Sequence, residues 1–352
     1  MKKKNLEMII QLDTSPLLSG HTVRGIGFYT RLLAQYLGLE PEVHLYSKAE
    51  KQTKPSLVHY PYFDLFFPTL PIKPWVKTVV TIHDVIPLVF PAEYRPGKKG
   101  TLSLQRQRLA LRFASAIITD SHCSKKDIHT YLHVPLEKIS VIPLAGQPEL
   151  TTATDSSIKQ TKKRFGIKKR YVLYIGDINY NKNLPQLIKM LKYIPGTLDL
   201  VCVGKAMQAS DLPEWKAIQI QAALSNVEPR VHFLSNVLSD DFTSLSSLYT
   251  GAECYIQPSL YEGFGLPVLE AMQCSTPVVA ANTSSLPEVV GSAGLLVEPQ
   301  AEALAAGVLQ IHSLSKTARQ KMIAAGQNQA KLFTWKKTAQ ATIQIYKKVL
   351  GV

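Results

Sequence analysis

Residues 254–272 read CYIQPSLYEGFGLPVLEAM, and the order of residue types in that stretch decides the fold. The apolar, β-prone run Cys254–Ser259 predicts a strand, a glycine-containing loop follows, and Pro267 falls in the first turn of a helix, where its missing N–H costs little. Gly263 and Gly265 let backbone amides approach a ligand closely, and the helix start behind them favours an anion such as a diphosphate. Glu262 in the loop and Glu270 in the helix stand eight residues apart. Neither suits a phosphate directly. Both suit sugar hydroxyls, which a carboxylate accepts through short charge-assisted bonds.

The same strand-then-helix grammar extends along the chain. Short Val/Ile-rich runs occur at Met8–Asp13, Val43–Ser47, Leu57–Pro61, Thr78–His83, Ala116–Ser121 and Ile139–Pro143. A second series runs Tyr171–Asp177, Leu198–Gly204, Val231–Val237, Cys254–Ser259, Pro277–Asn282 and Gly294–Glu298. These runs are nearly all apolar rather than alternating, as parallel strands covered on both faces require. Helix-length segments such as Phe28–Leu39, Ser103–Ala114, Asn183–Leu191 and Leu266–Cys274 separate them, and the chain turns helical after Glu298. Two such series predict an α/β protein with two doubly wound parallel sheets. The polar segment 145–168, rich in Thr, Ser and Lys, reads as an exposed linker between them. Ligands of open α/β sheets bind at the carboxyl ends of the strands, so two facing domains would share a central cleft.

Composition narrows the class. At 352 residues, 45% hydrophobic and 19% charged, the chain is long enough for two domains and too apolar to be disordered. No apolar run approaches the length of a membrane span, and the one that precedes Asp13 is too short for a signal peptide. Cys123, Cys202, Cys254 and Cys274 lack C-x-x-C spacing and read as free thiols in a reducing compartment, so the expectation is a cytoplasmic protein. The formal charge of +14 is spread over both halves, with 19 basic and 12 acidic residues in 1–150 and 21 and 14 in the remainder. Such a surface attracts polyanions. No recognition helix, zinc spacing or aromatic RNA platform accompanies it, so nucleic acid is not an expected partner. No His/Cys/Asp cluster has metal-ligand spacing, and no Ser-His-Asp order or G-x-S-x-G elbow appears. Gly25 and Gly27 form part of a dinucleotide fingerprint, but Thr30 stands at the third glycine and the distance from the preceding strand is too long for a nicotinamide dehydrogenase.

The string EGFGLPVLE resembles the E-x7-E motif of retaining GT-B glycosyltransferases of family 4 (glycosyl transferases group 1). YVLYIGDINYNKNLPQLIKML is similar to the strand, loop and helix that open the C-terminal domain of that family. RGIGFYT resembles its N-terminal glycine loop, TIHDVIPL its central His-Asp strand end, and FTWKKTAQATIQIYKKVL its closing helix. The five motifs stand in the family's order and cover nearly the whole chain. The resemblance implies a GT-B fold: a Rossmann-like acceptor-side domain over 1–150, a Rossmann-like nucleotide-sugar domain over 151–330, and a final helix, 331–352, crossing back to the first domain.

Carried over by position, the resemblance implies that Glu270 holds the donor ribose, and that Glu262, with the amides of Gly263, Phe264 and Gly265 at the head of the helix opened by Leu266, holds the transferring sugar. Lys182 would neutralise the diphosphate, Gly25 would offer it an amide from the other domain, and His83 would stand beside the sugar. Gly204 and Lys205 would lie near the phosphates, and Ser235, Asn236 and Val237 at the base pocket. His83 also reads as a hydrogen-bonded histidine at a strand end, and Asp84 as a residue holding the loop. The chain departs from the family at Asp177, where an Arg usually partners the lysine. An acid there repels a diphosphate unless turned away or paired, for example with Lys182 itself; Asn179 and Asn181 are candidate neutral donors, Lys205 an alternative cation, and Arg24 a replacement from the other domain.

The implied chemistry is retaining hexosyl transfer, mannose slightly favoured, from a nucleotide-diphosphate sugar to a glycan or lipid-linked acceptor, without a cofactor or metal. Segment 95–112 carries six basic residues and no acidic one, with Leu102, Leu104, Leu109 and Leu111 interleaved. That pattern suits either an ordinary half-buried helix or peripheral contact with an anionic membrane. A GT-B sugar-nucleotide 2-epimerase and a catalytically silent nucleotide-sugar-binding protein are the alternatives.

Overall fold

The computed structural model describes residues 8–18, 25–46, 54–208 and 210–352. It divides into two compact units, one of Met1–Leu144 with Phe333–Val352 and one of Ala145–Leu332.

The first unit holds β1 (Met8–Leu12), β2 (Val43–Leu45), β3 (Leu57–Tyr60), β4 (Lys77–Thr81), β5 (Ala116–Thr119) and β6 (Ile139–Val141), all parallel, in the order β2-β1-β3-β4-β5-β6. The second holds β7 (Arg170–Ile175), β8 (Leu198–Val203), β9 (Val231–Leu234), β10 (Cys254–Gln257), β11 (Val278–Ala281) and β12 (Leu295–Val297), again parallel, ordered β12-β11-β10-β7-β8-β9. Central strands are buried on both faces: every residue of β5, β8, β10 and β11 is buried. This is why their sequences read as continuous apolar runs. The direction of winding reverses between β1 and β3 in one sheet and between β7 and β10 in the other, which opens a crevice at those carboxyl ends.

All twelve expected runs overlap an observed strand, so the two-sheet α/β class stands. Most of the expected runs overshoot at the carboxyl end. His83, Ser121, Asp177 and Val237 lie two or three residues past the last strand residue, in the loops that form the candidate sites.

The segment 145–168 is not a linker. It belongs to the second unit and contains a helix, Asp155–Arg164, capped by the Thr154 hydroxyl, which accepts from the Ser157 amide. That helix packs through Ser157 Oγ, 2.8 Å from Ser247 Oγ, through Ile158 against Gly251, and through Arg164, which donates to Asp241 at 2.9 Å. Its contact face is largely small and polar, so hydrophobic periodicity could not reveal it.

The last helix, Trp335–Leu350, lies in the first unit. Trp335, Thr338, Ala339, Thr342, Ile343 and Tyr346 are buried at helical spacing. Thr338 donates to the Pro143 carbonyl at 2.8 Å, Lys77 to the Val349 carbonyl at 2.7 Å, and Lys347 pairs with Glu42. Cys202, Cys254 and Cys274 are buried and Cys123 is half-buried.

Candidate active site

In the second unit, β10 runs into the loop 258–265 and the helix Leu266–Gln273. Gly265 caps that helix at φ +111°, a conformation that L side chains rarely adopt, and a Cβ there would meet Leu286 Cδ2 at 2.9 Å. The loop is pinned from the side: Ser285 Oγ donates to the carbonyls of Glu262 and Phe264, both at 2.9 Å, and the Glu262 amide donates to Ser284 Oγ at 2.8 Å.

The Glu262 carboxylate is buried and held by three side chains. Its Oε1 accepts from Gln257 Nε2 at 2.8 Å, Ser259 Oγ at 2.6 Å and Lys182 Nζ at 2.8 Å; its Oε2 accepts from Lys182 at 2.9 Å. Lys182 arrives on the loop after β7, which is stitched to the β10 loop. Asn181 Nδ2 donates to the Tyr261 carbonyl at 2.8 Å, the Leu260 amide to the Asn181 carbonyl at 2.8 Å, and Asn183 Nδ2 to the carbonyls of Pro258 and Pro299.

Two expectations change here. Lys182 pairs with Glu262, not with Asp177, whose side chain is exposed. The Asn181 amide is buried and spent on Tyr261, so it is a stitch between loops rather than a donor to a phosphate.

Glu270 is half-buried. Its Oε2 accepts the Tyr249 hydroxyl at 3.0 Å. Burial pushes its carboxyl up to about 7, against the opposing hydrogen bonds of Tyr249 and the Gln147 backbone. Tyr249 packs on Tyr255 with ring centroids 5.7 Å apart, and Tyr255 donates to Gln257 Oε1. A continuous buried layer therefore joins the supports of the two carboxylates. Gly204 and the exposed Lys205 follow β8, and Ser235, exposed Asn236 and buried Val237 follow β9, on the same carboxyl edge as Lys182 and Glu262. The close packing of that edge shows at Gly204, where a Cβ would fall 2.1 Å from the Gly176 carbonyl oxygen.

In the first unit, His83 stands two residues beyond β4. Its Nδ1 faces Asp120 Oδ2 at 2.7 Å and its Nε2 faces the Pro61 carbonyl at 3.2 Å. Both neighbours are acceptors, so a doubly protonated ring satisfies both. Burial disfavours the charged ring, but the charge and hydrogen bond of Asp120, with Asp84 and Pro61, outweigh it and raise the pKa of His83. Tyr29 packs edge-on against His83 with centroids 4.7 Å apart. Asp84 Oδ1 accepts the Ile86 amide at 3.0 Å, which makes it a loop-holding residue. Gly25 opens the helix Gly25–Leu37 and is exposed; Arg24 lies outside the described residues.

Sequence reasoning missed Asp120, His59, Gln257, Ser259 and Tyr249. The fully buried histidine is His59, with Nδ1 2.6 Å from the Tyr346 hydroxyl and Nε2 2.8 Å from Thr81 Oγ1. A polar residue inside an apolar run, as in LVHY or CYIQ, is the only signal that would have marked His59 and Gln257. Among the described residues no group of three or more His, Cys, Asp or Glu is placed to hold a metal ion.

Comparison with known proteins identifies the family. The family model "Glycosyl transferases group 1" matches residues 156–329 and "Glycosyltransferase Family 4" matches residues 12–145. The chain is 31% identical over 278 residues to O-antigen chain mannosyltransferase B of Escherichia coli, covering 77% of this chain and 70% of that protein. It is 26% identical over 283 residues to the serotype-specific mannosyltransferase WbdA of Escherichia coli, covering 79% of this chain but only 34% of WbdA, about a third of that relative's length. Among solved structures, Anabaena Alr3699/HepE in complex with UDP and glucose superposes with a TM-score of 0.74 at 19% identity, covering 97% of this chain and 99% of that one. That likeness shows the same two-domain fold.

Proposed function

The chain belongs to the group 1, family 4-like glycosyltransferases of GT-B fold and is a hexosyltransferase, and from that premise we propose that it moves a hexose from a nucleotide-diphosphate sugar to a glycan or lipid-linked acceptor with retention of anomeric configuration. The observation that carries this reading is the Lys182–Glu262 pair at the β7/β10 switch point, beside the start of the helix that bears Glu270. A cation, a helix amino end and two carboxylates within one crevice match the needs of a sugar diphosphate: positive charge for the leaving group, acceptors for hydroxyls.

Breaking the bond to the anomeric carbon leaves that carbon oxocarbenium-like while the diphosphate gains charge. Lys182, the amides of residues 263–265 and the helix dipole stabilise the leaving diphosphate, so no divalent metal is required. The departing diphosphate takes the proton of the incoming acceptor hydroxyl on the same face. His83, whose ring nitrogens face Asp120 and the Pro61 carbonyl, and Gly25 are the candidate substrate-binding residues of the first unit. Glu270 takes the ribose hydroxyls; Gly204 and Lys205 flank the phosphates, and Ser235, Asn236 and Val237 line the base.

The donor sugar in this reading is mannose, in keeping with the names of the two mannosyltransferase relatives from Escherichia coli, and GDP is the carrier we propose. The acceptor side meets an anionic membrane through residues 95–112. In the helix Gly97–Arg112, Leu104 and Leu111 are buried, whereas Leu102 and Leu109 are 74% and 40% exposed among exposed Lys98, Lys99 and Arg112. Exposed leucines within a basic face favour a lipid surface over a merely solvated one. No described helix is long and apolar enough to cross a membrane.

The test is nucleoside diphosphate release from GDP-mannose, UDP-glucose and related donors, with and without candidate acceptors. Acceptor-dependent release that Glu262→Ala abolishes is the expected result. Unchanged turnover in that variant would remove the sugar-site assignment, and epimerisation of the donor without acceptor would replace the transferase reading.

A further inference from the structure

The donors around Glu262 divide unevenly between its two oxygens. Among the described residues Oε1 takes three of them, from Gln257, Ser259 and Lys182, while Oε2 takes Lys182 alone. The arrangement behind Oε1 has a single consistent direction. Tyr255 donates to Gln257 Oε1, Gln257 Nε2 donates to Ser259 Oγ at 2.8 Å and to Glu262 Oε1, and the Ser259 hydroxyl donates to Glu262 Oε1. A flipped amide would set Gln257 oxygen against the Glu262 carboxylate oxygen with no proton between them. Gln257 and Ser259 are at most 1% exposed, and every polar atom of both side chains in this chain of bonds is engaged. Buried polar groups arranged so completely orient as well as stabilise.

We infer that Gln257 and Ser259 are positioning residues that anchor Glu262 through Oε1 and so make Oε2 the oxygen offered to a hydroxyl of the transferring sugar, with Lys182 occupying Oε2 until a diphosphate draws its ammonium away. The inference rests on the reading of Glu262 as the sugar-binding carboxylate. It adds which oxygen acts and what aims it. An anchored carboxylate makes its bond without reorganising as the anomeric centre changes shape, so losing the anchor costs turnover more than donor binding.

The experiment compares the wild-type enzyme, Gln257→Leu, Ser259→Ala and Glu262→Gln with the active donor and with its analogues deoxygenated at each ring hydroxyl in turn, and follows thermal unfolding of each variant. Expected are a fall in kcat of tenfold or more for Gln257→Leu and Ser259→Ala, donor KM within threefold of wild type, and a shrunken penalty for the one deoxy analogue that the wild type discriminates against. Retention of the full penalty in folded Gln257→Leu would show that the glutamine only packs the core, and would overturn the inference while leaving the site intact. Unaltered turnover in Glu262→Gln would instead overturn the underlying reading. If Gln257→Leu does not fold, Ser259→Ala, a smaller deletion on the same oxygen, decides by the same two measurements.

Discussion

The Tyr249 hydroxyl lies 3.0 Å from Glu270 Oε2, the bond that orients a half-buried carboxyl whose pKa burial has raised to about 7. A carboxyl raised in the folded state adds stability that is complete below its unfolded value and is lost as pH climbs through about 7. A ligand whose hydroxyls donate to Glu270 needs the ionised form. Nucleotide affinity is therefore expected to rise about tenfold from pH 6 to pH 8, with release of a proton on binding, measured by calorimetry in buffers of different ionisation enthalpy. Glu270→Gln should flatten this dependence. A wild-type affinity that does not vary with pH would contradict the role of Glu270.

Lys182 is the one side-chain cation bonded to the Glu262 carboxylate among the described residues. Lys182→Met should destabilise the second unit by about 1–3 kcal/mol, less than the loss of a fully buried pair because Lys182 is partly solvated. Turnover should fall about 100-fold, the scale of losing one group aimed at developing charge. Adding Glu262→Gln should recover part of the stability, since the two residues share one interaction. Thermal unfolding and donor turnover read both effects, and a strictly additive double variant would speak against the pairing.

His59 ties the closing helix to the sheet through Tyr346, and its other nitrogen reaches Thr81, which lies 3.0 Å from the Tyr29 hydroxyl. Burial, with a smaller contribution from His83, lowers the pKa of His59 to about 3, so it enters this network neutral. Tyr346→Phe leaves a buried ring nitrogen unpaired and should cost about 1–3 kcal/mol, seen as a lowered urea midpoint with unchanged slope. A neutral substitution would mean that the helix is held by apolar packing alone.

Gly204 and Gly25 should separate stability from ligand binding. A Cβ on Gly204 would collide with the Gly176 carbonyl, so Gly204→Ala should cost about 1–3 kcal/mol by forcing the ends of β7 and β8 apart. Among the described residues nothing lies within 4 Å of a Cβ on Gly25, so Gly25→Ala should melt like the wild type. A fall in donor affinity in that variant reports on ligand contact alone.

For the helix Gly97–Arg112, vesicle co-sedimentation gives the check. Wild-type protein should bind vesicles of phosphatidylcholine with phosphatidylglycerol severalfold more than phosphatidylcholine alone, and Leu102→Ser with Leu109→Ser should remove most of that binding without altering the melting temperature. Equal binding to both vesicle types would eliminate the membrane surface.

Much of this architecture was legible without coordinates. A strand buried on both faces must be apolar along its length, so VLYI, LVCV and VVAA announce themselves. The loop after Gln257 declares its helix through two glycines and a proline. The helix Asp155–Arg164 was hidden because it packs through serine, threonine and one isoleucine, which leave no apolar stripe.

The sequence alone determined the twelve strands, their two series and the placing of Glu262 and Glu270 around a helix start, because these depend on periodicity and neighbouring residue types. Only the tertiary structure decided that Lys182 faces Glu262 rather than Asp177, that Asp120 holds His83, and that His59 meets Tyr346. Those partners are 80, 37 and 287 residues apart. A polar side chain bonds whatever the folded loops and elements bring within about 3 Å, and in this chain that meeting is set by the order of strands in each sheet.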